Sequence, residues 1–190
     1  MRLFVALPVP PELRARIHEA ADVLRERDLP VRWVDPDLYH LTLKFLGEVD
    51  RDAPERISPA LDRVASENAP FESGLGELGA FPSIRKPRVL WIAVDPTPAL
   101  RCLKQDVEWA RAKLGFDRDT RAFHPHVTLG RARDDGRAGA FRGLDEVVAE
   151  RTVDAALPVF EMRLVRSRLS RSGPSYSVLH TSELGPGTDG

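Results

Sequence analysis

Two short runs of the sequence carry groups suited to acid–base chemistry: His40-Leu41-Thr42-Leu43 and His126-Val127-Thr128-Leu129. Successive side chains of a strand point to opposite faces, so in each run histidine and threonine share one face and the apolar residues share the other. Imidazole has an ordinary pKa of about 6.5, so near neutral pH one ring of a pair can accept a proton while the other donates one. Phosphoryl transfer uses such a pair well, because attacking and leaving oxygens lie on opposite sides of phosphorus. One imidazole then activates water, the other protonates the departing alkoxide, and the hydroxyls of Thr42 and Thr128 donate to the non-bridging oxygens. The scheme requires no metal. A lone histidine in an alternating strand is ordinarily structural; a matched second copy in a chain with five histidines lifts the pair above that background.

The elements that must position these runs repeat as well. Residues 2 to 7 form a short apolar run bounded by prolines, which suits a buried strand. Leu13, Ile17, Ala20 and Leu24 then recur at helical spacing. Residues 38 to 46 alternate as a half-buried strand, with His40, Thr42 and Lys44 on one face and Leu41, Leu43 and Phe45 on the other. A helix comes next, through Ile57, Leu61 and Val64. It begins either with Asp52 and Glu55 as a capping pair or at Ser58 with Pro59 in its first position. The glycine-rich residues 71 to 81 read as an irregular strand. The second half runs parallel to this: a strand over 89 to 94, a helix opened by Thr97 and Pro98 and closed by Gly115, the His126 strand, and a weaker helix near 137 to 150. Strands near 158 to 169 and 174 to 183 complete the chain, turning at Ser172, Gly173 and Pro174. The expected fold is α+β and bilobal, with two pseudo-symmetric lobes of mainly antiparallel sheet flanked by helices and the active-site cleft between them. Residues 1 to 185 are expected to form one two-lobed domain and 186 to 190 a flexible tail.

Composition narrows the function classes. The 190 residues suit one folding unit, and the balance of 42% hydrophobic to 30% charged residues is that of a globular protein in water. The opening apolar run ends at Pro8, too short for a signal peptide or a membrane span, so the expected location is the cytoplasm and no membrane partner is expected. One cysteine, Cys102, rules out an internal disulfide and a cysteine-based zinc cluster, and it is expected to pack on or beside a helix face. A net charge of −1 provides no global field for long duplexes, so any nucleic-acid contact is local. Basic residues cluster at Arg85, Lys86 and Arg88, and again at Arg131 and Arg133. A monomer is expected, because no sustained heptad is present.

Arg32-Trp33-Val34-Asp35-Pro36 leading into HLTLKFLGEV, AFPSIRKPRVLW at 80 to 91, FHPHVTLGRAR at 123 to 133 and RSRLSRSGPSYSVL at 166 to 179 resemble successive landmarks of the RNA 2′,3′-cyclic phosphodiesterase family. This family, also called the 2′-5′ RNA ligase family, belongs to the two-histidine phosphoesterase superfamily. The resemblance covers nearly the whole chain. It implies His40 as proton donor and His126 as acceptor, roles that the near-symmetric halves do not distinguish by themselves. It also implies a 2′-phosphate product from RNA ends or small nucleoside cyclic phosphates, no cofactor, and an ATP-independent joining of cyclic phosphate ends to 5′-hydroxyls as a secondary reaction.

The resemblance also points to Arg131 as a phosphate-binding residue. Strict alternation sets Arg131 on the face opposite His126, so this role requires Gly130 to distort the strand. Phe45 shares a face with Leu41 and Leu43 and is expected in the core, although the family leaves room for it at the cleft edge. Tyr176 is a candidate to stack on a base. His124, where many relatives have arginine, forms a His-x-His pair with His126 that raises a metal-assisted reading, but further ligands at suitable spacing are not evident. His18 and His180 read as structural or solvent-facing. A third reading is a noncatalytic module that binds RNA ends, against which stand the intact histidines and threonines.

Overall fold

The computed structural model of the chain describes residues 1–116, 122–134, 139–149, 152–170 and 173–185. The expected tail at 186 to 190, Ser172 of the turn and parts of the helical stretch at 137 to 150 lie outside the described residues.

The chain begins with β1 (Arg2–Pro8), whose apolar run is buried, then α1 (Pro11–Ala20) and the short α2 (Asp22–Arg25). Then come β2 (Val31–Trp33), one 3-10 turn over Pro36–Leu38, β3 (His40–Glu48), α3 (Ala53–Ser66) and β4 (Phe71–Phe81). The second half contains β5 (Val89–Val94), α4 (Pro98–Lys113), β6 (His126–Ala132), α5 (Leu144–Ala149), β7 (Ala156–Val159), β8 (Glu161–Ser170) and β9 (Gly173–Glu183). Among the described residues every strand pairing is antiparallel, in the order β7-β4-β5-β6-β3-β1-β8-β9, with β2 also paired to β6. Helices α3 and α4 pack on the sheet and on one another. The architecture is the expected α+β one.

The repeat is visible in the register. β1 and β5 flank the central strands β3 and β6, and by register Ala6, opposite Thr42, is the counterpart of Trp91, opposite Thr128, while Phe4, opposite Phe45, is the counterpart of Val89, opposite Arg131. The two half-sheets meet at one registered pair, Leu41 opposite Val127. Each half-sheet borrows its outer strands from the other half of the chain: β4 pairs with β5, and β8 with β1.

Three local expectations need correction. The stretch near 158 to 169 is two strands, β7 on one sheet edge and β8 toward the other, linked by Phe160 alone. A one-residue link spans only a few ångströms, so the sheet curls until its ends are neighbours, and apolar alternation does not report that break. Helix α3 starts at Ala53 without a side-chain cap from Asp52, and it contains Pro59. Pro59 is exposed while Ile57, Leu61 and Val64 are buried on one face, so apolar burial outweighs a hydrogen bond lost toward water. Cys102 is exposed rather than packed, lying on the outer surface of α4 beside the buried Leu103. As expected, Thr97 caps α4, its hydroxyl oxygen accepting from the Leu100 amide at 3.3 Å.

Candidate active site

The two His-x-Thr runs meet across the Leu41–Val127 pair. Antiparallel register about that pair sets His40 across from Thr128 and Thr42 across from His126, with all four side chains on the face opposite the buried Leu41 and Val127. Each histidine is the first residue of its strand. In each, ring Nδ1 lies 2.7 Å from the carbonyl oxygen two residues earlier, Leu38 for His40 and His124 for His126. A carbonyl only accepts, so Nδ1 carries the hydrogen in both rings and Nε2 is the nitrogen that gains or loses a proton.

Both imidazoles are held below the ordinary histidine value. For His40 burial is the main cause, opposed by the Leu38 hydrogen bond and reinforced by the charges of His126 and Arg131. For His126 burial again leads, opposed by the His124 carbonyl and reinforced by Arg131 and His124. The mutual repulsion disfavours two charged rings at once, which favours one protonated and one neutral imidazole.

Aromatic rings flank each histidine. Phe4 lies 4.9 Å and Tyr176 5.3 Å from the His40 ring. On the other side Phe81 lies 5.1 Å and Trp91 6.2 Å from His126. These rings account for the desolvation that lowers both pKa values. Sequence reasoning missed Phe4, Phe81 and Trp91. The signal for Phe4 and Trp91 was the aromatic in the third place of each short apolar run, RLFVAL and VLWIAV.

Strict alternation fails at the same place in both repeats. Val5 pairs with Lys44 and Ala6 with Thr42, so Leu43 is an extra residue in β3. Leu90 pairs with Gly130 and Trp91 with Thr128, so Leu129 is an extra residue in β6. Each bulge reverses the facing of the residues beyond it. Lys44, expected beside His40 and Thr42, instead turns inward, 6% exposed, with its ammonium 2.7 Å from Glu108 of α4. Phe45, expected in the core, is 53% exposed, with its ring 5.9 Å from Phe4. Arg131 is turned onto the cleft side, where its charge acts on His40, His126 and Tyr176. The distortion that Arg131 requires is therefore present, and Gly130 permits it: a Cβ there would stand 2.6 Å from Val31 and 2.9 Å from Trp33.

The remaining histidines lie elsewhere. His180 bonds the Asp62 carboxylate at 2.6 Å, and His18 contacts Arg25. His124 is exposed and contributes its carbonyl, not its ring, to His126. Among the described residues no group of three or more His, Cys, Asp or Glu side chains is arranged to hold a metal, and no helix is long and apolar enough to cross a membrane.

Comparison with known proteins agrees with this fold. Residues 7–91 match the family model described as LigT like Phosphoesterase. The RNA 2′,3′-cyclic phosphodiesterase of Archaeoglobus fulgidus is 34% identical over 187 residues, covering 96% of this chain and 100% of that one. TT0787 of Thermus thermophilus superposes with a TM-score of 0.83 at 31% identity, over 99% of this chain and 100% of the other. E. coli LigT complexed with 3′-AMP superposes with a TM-score of 0.76 at 29% identity, over 96% and 97% of the two chains. Identity sustained along nearly the whole length, on the same fold, makes this chain a member of the RNA 2′,3′-cyclic phosphodiesterase family of LigT-like phosphoesterases.

Proposed function

We propose that this protein opens RNA 2′,3′-cyclic phosphate ends, and small nucleoside cyclic phosphates, to 2′-phosphates by acid–base catalysis between His40 and His126 without a metal. His126 Nε2 takes a proton from water as the water oxygen bonds to phosphorus. The P–O3′ bond breaks, and the Nε2–H of His40 protonates O3′. Thr42, Thr128 and Arg131 hold the non-bridging oxygens, where charge collects in the transition state. Phe45 and Tyr176, beside His40, receive the base of the nucleoside whose oxygen departs. Joining to a 5′-hydroxyl without ATP is the same displacement with an alcohol in place of water. The reading is of a single two-lobed domain over residues 1 to 185, acting as a monomer in the cytoplasm.

The observation that carries the reading is the crossed register about Leu41 and Val127, with both Nδ1 atoms committed to carbonyls so that both Nε2 atoms are left for chemistry. The names of the relatives support the choice of substrate. The test is product analysis with a dinucleotide ending in a 2′,3′-cyclic phosphate, in chelator and with added zinc or manganese. A 2′-phosphate formed at the same rate in chelator is the expected result. A 3′-phosphate product overturns the assignment of leaving oxygen, and activity lost in chelator and restored by metal overturns the metal-free mechanism. Tight binding without turnover means an end-binding module instead.

A further inference from the structure

The aromatic rings on the His126 side touch no part of the substrate in the reaction just described, which engages only the nucleoside on the His40 side. Phe81 closes β4, and Gly79 and Phe81 share a face with Trp91 of β5. Trp91 lies across Gly79 so closely that a Cβ there would stand 2.2 Å from its ring, and Phe81 packs 4.9 Å from Trp91 and edge-on to His126. The result is a half-buried ring platform next to the histidine that activates the nucleophile. The hairpin leaving Phe81 carries Arg85, Lys86 and Arg88, all exposed, with no acidic residue between Phe81 and Val89. The Arg88 carbonyl accepts from the Ala132 amide, and Val89 pairs with Arg131, so the cationic hairpin is continuous with the phosphate-facing side of β6. In a chain of net charge −1 this is a concentrated positive edge.

We infer that Phe81, backed by Trp91, together with Arg85, Lys86 and Arg88, forms a second nucleotide subsite on the side of phosphorus from which the nucleophile enters. Its occupant is the nucleotide that supplies a 5′-hydroxyl: the base stacks on Phe81 and the phosphates following that nucleoside meet the basic hairpin. The inference rests on the proposed assignment of His126 as proton acceptor. In the joining direction O5′ bonds to phosphorus as its proton passes to His126, and the P–O3′ bond breaks as His40 protonates O3′, leaving a 2′-5′ diester. In reverse, His40 takes the proton from O3′ as O3′ bonds to phosphorus, the P–O5′ bond breaks, and His126 protonates O5′, which regenerates the 2′,3′-cyclic phosphate. Water places no base on the platform, so hydrolysis of a cyclic mononucleotide does not draw on its stacking.

The test compares two substrates in the intact protein: a nucleoside 2′,3′-cyclic phosphate, and a trinucleotide whose first linkage is 2′-5′ and whose cleavage there needs both sides of phosphorus. The readout is the ratio of the two kcat/KM values, which cancels any shared disturbance of His126. Phe81→Ala should lower the ratio for trinucleotide cleavage at least about fivefold, the lower range for loss of one stacked base, and Phe81→Trp should restore it. Replacing Arg85, Lys86 and Arg88 together by Gln should raise KM for the trinucleotide alone and flatten its salt dependence. A ratio unchanged in Phe81→Ala, or lowered equally by Phe81→Trp, overturns the subsite. A wild-type protein inert toward the cyclic mononucleotide would instead remove the proposed function itself, a different outcome read from a different sample.

Discussion

Phe45 and Arg131 are equivalent residues of the two repeats, each five positions after its histidine and each turned to the cleft side by a bulge at the same point of its strand. One is an apolar ring and the other a cation. The pseudo-symmetric frame therefore places an exposed aromatic ring on the His40 half and a cation on the His126 half. This difference breaks the equivalence of two histidines whose local hydrogen bonding is the same.

If Arg131 acts on the phosphate and on both rings, Arg131→Gln should raise KM for the cyclic phosphate. It should also move both histidine titrations upward, because the arginine charge lowers both in the native protein. Nitrogen-detected NMR of the imidazoles across pH measures the shift directly. A variant with raised KM but unmoved titrations would separate phosphate binding from the electrostatic effect.

In the free protein both rings should titrate below about 6.5, and a bound phosphate group should bring them up. The folded state holds these protons less tightly than the unfolded chain, so the contribution of the pair to stability is complete above the ordinary value and is lost as pH falls through the native ones. Denaturant unfolding from pH 7 down to 5 should show that loss, and His126→Gln should reduce the slope.

His40→Ala and His126→Ala should each lower kcat by about 10²–10⁴, the usual share of one proton-transfer group. The double variant should cost less than the sum of the logarithms, since each ring serves the same displacement. Circular dichroism and denaturant midpoints near wild type would show that the losses are chemical. Thr42→Val and Thr128→Val should lower kcat by about 10² or more if their hydroxyls meet the transition-state charge, with KM changed much less.

Glu108 provides a test of the frame rather than of the chemistry. Burial pushes its carboxyl up, but hydrogen bonds from Lys104 and Lys44 bring it below the ordinary value, and Arg111 approaches at 3.3 Å. Glu108→Gln takes a carboxylate away from the buried Lys44 ammonium and should destabilise the protein by on the order of 3 kcal/mol. Because Lys44 lies just beyond the β3 bulge, the same variant should also weaken binding of the nucleoside base beside Phe45. Its native stabilisation should be present above the unfolded carboxyl pKa and decline as pH falls below it, which melts at pH 7 and pH 4 would reveal.

By itself the sequence determined the paired His-x-Thr strands, the order of strands and helices, and the matching of halves. Those are local matters: a period of two or of 3.6 residues comes from backbone geometry and from which side chains avoid water. The family likeness was legible for the same reason, in contiguous runs. What only the tertiary structure decided is where alternation stops. Whether Leu43 and Leu129 each take an extra place in their strands depends on neighbours β1 and β5, on the room at Gly130 and on the reach of Lys44 to Glu108. Each of those partners is distant in the chain, and a single-residue slip sends every later side chain to the other face. Phe45 and Arg131 owe their places to that slip, and Phe81 and Trp91 owe theirs to the pairing of β5 with β4 and β6.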